Sequence, residues 1–128
     1  MKASYRTLTE HERAVINRLL DKDFPGKKTI RKQVESALVR TIPEYKDNYG
    51  SLEFSVKLEE KANVTNRIPI SGRVNDSDGV PIEIFLHVIN GKIDELEIVK
   101  ADNSPLRQPI DASKITVTTD QEIVKDQT

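Results

Sequence analysis

Imidazole is the side chain whose charge changes nearest neutral pH, and the chain has two histidines, His11 and His87. His11 falls in the first turn of an expected helix, where solvent is its natural surrounding. His87 stands mid-strand beside Phe85, where a carboxylate such as Glu83 is placed to orient it. His87 with Glu83 is therefore the candidate polar site of a small-ligand binder or enzyme. Neither histidine belongs to a His-x-His or His-x-x-x-His pair. Zinc asks for three or four ligands in defined geometry, so the sequence predicts no metal site and no cofactor.

Charged clusters supply the other candidates. Lys27, Lys28, Arg31 and Lys32 gather at the start of a second expected helix, where they suit phosphates or an acidic protein surface. Phe24 is the nearest ring, so no aromatic stacking platform accompanies them. Asp76, Asp78, Asp94 and Glu95 form the acidic counterpart. The stretch Asp76-Ser77-Asp78-Gly79 has the flavour of a calcium loop, but that register puts Val74 and Phe85 where oxygen ligands belong. A turn is the better reading. Glu59-Glu60 and Asp94-Glu95 show no convergence of the kind general acid–base work needs. With five glycines and no cysteine, the chain offers no phosphate cradle, no thiol nucleophile and no disulfide.

The elements that must hold these residues follow from the pattern. Thr9 and Glu12 make a capping box opening a helix over Glu10 to Asp21, with Val15, Ile16, Leu19 and Leu20 as its apolar stripe. Phe24-Pro25-Gly26 stops it. A helix of about two turns follows from Lys28 or Thr29, facing the core with Ile30, Val34 and Ala37. The period then changes to two. A strand begins at Leu38 and ends at Pro43, and Asp47-Asn48-Tyr49-Gly50 is turn chemistry. Ser51 to Glu59 alternates cleanly. Ile68 to Val74 reads as a strand that Pro69 either places at an edge or starts irregularly, with Gly72 as a candidate bulge. Val80 to Ile89 is central and covered on both sides. Asn90-Gly91 is a type I′ hairpin turn, and pairing Leu86 with Leu96 and Ile84 with Ile98 requires one extra residue near Asp94-Glu95, a β-bulge. Lys114 to Thr118 adds a last strand.

The predicted fold is segregated α+β: two N-terminal helices on an antiparallel sheet of five or six strands. Residues 1–118 form one domain and 119–128 a flexible tail. Hydrophobic residues are 36% and charged residues 32% of the chain, yet the apolar positions are patterned, which argues for a packed core. Net charge is −1, with 13 basic and 10 acidic groups in residues 1–64 against 7 and 11 in 65–128. That balance disfavours a dedicated nucleic-acid binder. No secretory leader or bilayer-length apolar run is visible, so the cytoplasm is the expected location.

Leu8-Thr9, Glu12-Arg13-Ala14, Ile16 and Leu19-Leu20, followed by Phe24-Pro25-Gly26, resemble the opening of a small bacterial family of unknown function. The similarity continues through Gly50-Ser51-Leu52, Asp78-Gly79-Val80-Pro81-Ile82, Leu86-His87-Val88 and Glu95-Leu96-Glu97-Ile98. It covers about residues 8–118 and implies a fold-sized unit without an assigned activity. The His87 motif is its one polar element that folding does not obviously require. By type rather than motif, the chain also resembles the immunity proteins of bacterial toxin systems. The leading expectation is a non-catalytic protein-binding module, an immunity protein or antitoxin, with the two charged clusters as contacts and a toxin as partner. Nucleic-acid association through the Lys27–Lys32 patch and ligand chemistry at His87 are the alternatives.

Overall fold

The computed structural model describes residues 4–42 and 49–120 of the chain. Two helices come first, α1 (Glu10–Leu19) and α2 (Lys27–Ser36). Six strands follow: β1 (Leu38–Thr41), β2 (Leu52–Ser55), β3 (Ile70–Asn75), β4 (Pro81–Ile89), β5 (Lys92–Lys100) and β6 (Thr116–Thr119), with a 3₁₀ turn at Ala112–Lys114 before the last. They form one sheet in the order β1-β2-β5-β4-β3-β6, antiparallel throughout. The expected α+β class is the observed one.

The capping box is present. The Thr9 hydroxyl accepts from the Glu12 N–H at 3.1 Å, and a Glu12 carboxylate oxygen accepts from the Thr9 N–H at 2.9 Å. Arg6 also binds that carboxylate, which lowers the Glu12 pKa. Helix α2 is longer than expected, starting right after Gly26, whose φ of 90° is the left-handed conformation glycine tolerates best.

Both helices pack on one face of the sheet. Val15, Ile16, Leu19, Ile30 and Val34 meet Leu52, Ile70, Ile82, Ile84, Leu86, Ile93 and Leu96 in a single core. Alternation along β4 is regular: Ile82, Ile84, Leu86 and Val88 are buried, while Glu83, Phe85, His87 and Ile89 are half-buried. The expectation that β4 is covered on both sides needs correcting. It is central in the sheet, but among the described residues no helix lies over its second face.

The hairpin turn and the bulge are where the sequence placed them. Asn90 and Gly91 both have positive φ, 53° and 76°. Leu86 pairs with Leu96 and Ile84 with Ile98, and the register shifts by one residue between His87 and Val88.

Other expectations are overturned. Strand β3 is not an edge, because β6 pairs with its far side; the irregular start is what Pro69 marks, since the strand begins only at Ile70. Gly72 is not a bulge, since its register is regular on both neighbours. A Cβ at Gly72 would stand 2.6 Å from Ile115 Cγ2 and 2.9 Å from Leu19 Cδ2. The residue is glycine because α1 and the Ile115 segment approach the backbone there. Strand β2 stops at Ser55 rather than Glu59. Its partner β1 begins at Leu38, opposite Ser55, and on the β5 side the continued register runs into the hairpin turn, so the ladder loses both neighbours. Thr119 and Asp120 belong to the folded unit: Thr119 pairs with Ile70 and Asp120 is buried. Residues 121–128, Pro43 at the expected end of the first strand, and Asp47 and Asn48 of the expected turn lie outside the described residues.

Candidate functional site

The bulge decides what faces His87. Without the extra residue, Asp94 would sit opposite His87 and Glu95 would turn toward the core. With it, Glu95 pairs directly with His87 and Glu97 with Phe85, all on the uncovered face. Bulges commonly re-aim side chains in this way. The row extends across the sheet: Arg40 is opposite Glu53, Glu53 opposite Glu95, and Glu95 opposite His87.

Within this group the contacts are specific. His87 Nε2 lies 2.8 Å from Glu97 Oε1, and Arg67 Nε donates to His87 Nδ1 at 3.0 Å. A guanidinium is always a donor, so in this arrangement Nδ1 carries the lone pair. Nε2 then carries the proton and donates to Glu97. The imidazole is 12% exposed and the Glu97 side chain 31%. One ligand-capable atom each from His87, Glu95 and Glu97 lies within 4.8 Å of the others. Arg40 and Glu53 form a separate pair at 2.6 Å, and Arg40 sits over the Tyr5 ring, 5.8 Å from its centroid.

Glu83 does not orient His87. Four residues along one strand is about 13 Å, and Glu83 instead pairs with Arg73 at 3.4 Å on the neighbouring strand. The true partners, Glu97 and Arg67, were missed. The predicted bulge already implied that Glu95 and Glu97 share a face with His87, so Glu97 was within reach of the sequence. Arg67 lies in the irregular segment before β3 and carried no such signal.

The acidic loop is also corrected. Asp76 is not an exposed contact but buried, and Lys100, whose side chain is fully buried, lies 2.9 Å from Asp76 and 2.7 Å from Asp78. The third donor of Lys100 goes to Pro105 O at 3.0 Å. An ammonium thus occupies the space between the two carboxylates that a calcium-loop reading would reserve for a cation. Burial pushes the Asp76 carboxyl upward, but the Arg107 N–H, the Lys100 ammonium and the Ser77 N–H outweigh it. They hold its pKa down to about 2. Lys100 is raised: burial works against its charge, and the hydrogen bonds it donates to Asp78 and Asp76 prevail. Asp94 is half-buried at the bulge.

The basic cluster is partly engaged within the chain. Lys27 reaches Asp23 at 3.1 Å, Lys32 reaches Glu60 at 3.5 Å, and Arg31 donates to Leu20 O at 2.9 Å. Lys28 is exposed. Phe24 is buried in the core, so it is not a stacking surface. His11 is exposed as a residue, yet its Nε2 lies 2.7 Å from Ile110 O, tying α1 to the segment before β6. Gln33, on the same helix as the basic cluster, is fully buried. It donates to Glu60 O at 3.0 Å and Gly91 O at 2.9 Å and accepts from the Ile93 N–H at 2.9 Å.

Residues 5–110 match the model of a domain of unknown function, DUF6984, and the chain belongs to that family. No curated protein and no solved structure matches the chain. Among the described residues no helix is long and apolar enough to cross a membrane.

Proposed function

We propose that this member of a domain family of unknown function is a non-catalytic protein-binding module. Its contact surface is the uncovered face of β2, β5 and β4. The observation that carries this reading is the one-sided packing of the sheet. Both helices lie on the inner face, and the outer one presents Glu53, Glu95 and Glu97 beside the half-buried Phe85, Ile89 and Val99. Apolar patches framed by charge are the ordinary anatomy of a protein interface. Carboxylates on such a face steer a basic partner and accelerate its association.

The finer form of the proposal is an immunity protein or antitoxin that neutralises a cognate bacterial toxin in the cytoplasm. A toxin acting on a polyanionic target carries the basic surface that this face complements. What supports it is small size, high charge and the acidic balance of residues 65–128. The nucleic-acid alternative has less support, because Lys27, Arg31 and Lys32 have partners inside the chain and Phe24 is buried.

The test is affinity capture of the tagged full chain from its native host, with and without nuclease. The expected result is one stoichiometric protein retained after nuclease and lost from a Phe85→Glu variant that still folds. Recovery of nucleic acid, or of a protein released by nuclease, would replace this reading with the alternative.

A further inference from the structure

We propose that His87, Glu95 and Glu97 form a binding site for one divalent first-row transition ion on the outer face of the sheet. Their ligand atoms already lie within 4.8 Å of one another. The backbone that carries them is firm: β4 and β5 pair along their full length, and the bulge sets the two glutamates toward the histidine. Protein ligands stand about 2.0–2.2 Å from such an ion. At that range, two ligand atoms 2.8 Å apart, as His87 Nε2 and Glu97 Oε1 are, subtend close to a right angle. That is the angle between neighbouring ligands of an octahedral ion.

The donor chemistry narrows the ion. One imidazole with two carboxylates suits zinc, manganese, iron, cobalt or nickel, whereas calcium and magnesium prefer all-oxygen shells. Glu95 and Glu97 share a face two residues apart; Glu53, directly across from Glu95, already has Arg40 as its counter-ion. Three protein ligands on an uncovered face leave the remaining coordination positions open to solvent.

Arg67 has a definite role in this site, as the competitor of the ion. Without metal, a proton on Nε2 bridges to Glu97, and Arg67 holds the lone pair on Nδ1. Metal at Nε2 requires the proton to move to Nδ1, where it meets the Arg67 N–H head on. Arg67 is exposed and must swing away into solvent. Removing its guanidinium therefore tightens metal binding, an effect that a purely structural histidine does not produce.

The test is calorimetric titration of the full chain with Zn²⁺, together with proton NMR of the imidazole signals during titration with Co²⁺. The expected result is one Zn²⁺ per chain and a paramagnetic shift of the His87 signals, with those of His11 unmoved. Loss of a ligand should weaken affinity at least tenfold in His87→Ala and Glu97→Gln, and Arg67→Gln should tighten it severalfold. Should His87→Ala fail to fold, Glu97→Gln decides alone, because the amide keeps the shape and still accepts the Nε2 hydrogen bond. No binding at millimolar Zn²⁺, or an affinity that Glu97→Gln leaves unchanged, overturns the site.

Discussion

The side-chain oxygen of Gln33 accepts the backbone N–H of Ile93 at 2.9 Å, so the second helix clamps the strand just before its bulge. Strand β2 pairs with β5 only at Leu52 and Glu53, short of Ile93, and the fully buried Gln33 supplies the acceptor for its N–H while the Gln33 amide nitrogen binds the carbonyls of Glu60 and Gly91. Gln33→Leu fills the space but strands the buried Ile93 N–H and removes the donor to Glu60 O, while Gly91 O keeps the Ala62 N–H. The expected cost is about 1–3 kcal/mol, read as a lower urea midpoint. Amide exchange at Ile93 should accelerate more than at Leu86, which lies beyond the bulge. Equal acceleration at both would place the Gln33 effect elsewhere.

Asp76 makes stability depend on acid. Its carboxyl is held at about 2, below its ordinary 3.8. A depressed carboxylate contributes stability above its unfolded value and loses it as pH falls through the folded one. The window therefore lies between about pH 4 and about pH 2. Asp78, Asp102 and Asp111 are also lowered, Asp78 chiefly by Lys100 and the other two by nearby serines, so the wild type should lose stability there in any case. The specific expectation is that Asp76→Asn is less stable than wild type at neutral pH and that the gap narrows by pH 2. Urea midpoints at pH 7, 4 and 2.5 measure it. A gap independent of pH would mean that the contribution of Asp76 is shape and not charge.

Gly72 and Ile115 form a steric pair. A methyl at Gly72 overlaps Ile115 Cγ2 and Leu19 Cδ2, and overpacking of this kind costs about 1–3 kcal/mol. Ile115→Ala alone, at a fully buried position, should cost about 2–5 kcal/mol. In the double variant the new methyl enters the space that Ile115 vacates, so the combined loss should fall short of the sum. Additive losses would show that the strain falls on Leu19 and helix α1 instead.

Much of this was legible in the sequence, for reasons that can be named. Asn90-Gly91 specifies a two-residue turn, and Leu96 and Ile98 must reach the core, so the bulge followed from register alone. With it came the pairing of Glu95 and His87. What escaped depends on neighbours distant in the chain. Lys100 is 24 residues from Asp76, and nothing local marks either as buried. Gln33 sits among Arg31, Lys32 and Glu35, and a polar run on a helix reads as surface. Strand β2 ends early and Pro69 precedes an interior strand because other strands stop or arrive there. Periodicity measures a segment's faces and not the length of its ladder.

The proposed interface makes an asymmetric prediction about kinetics. If carboxylates on the outer face steer the partner, then Glu95→Lys slows association, by about tenfold at low salt, and the deficit shrinks as salt rises. Lys28→Glu, on the exposed start of α2, should leave the association rate nearly unchanged or raise it slightly. Surface plasmon resonance of both variants against the captured partner, across an ionic-strength series, separates the two faces of the molecule. Metal chelator in the buffer keeps any ion at His87 from contributing. A slow Lys28→Glu beside an unaffected Glu95→Lys would transfer the contact to the basic helix, and with it the case for an acidic or nucleic-acid partner.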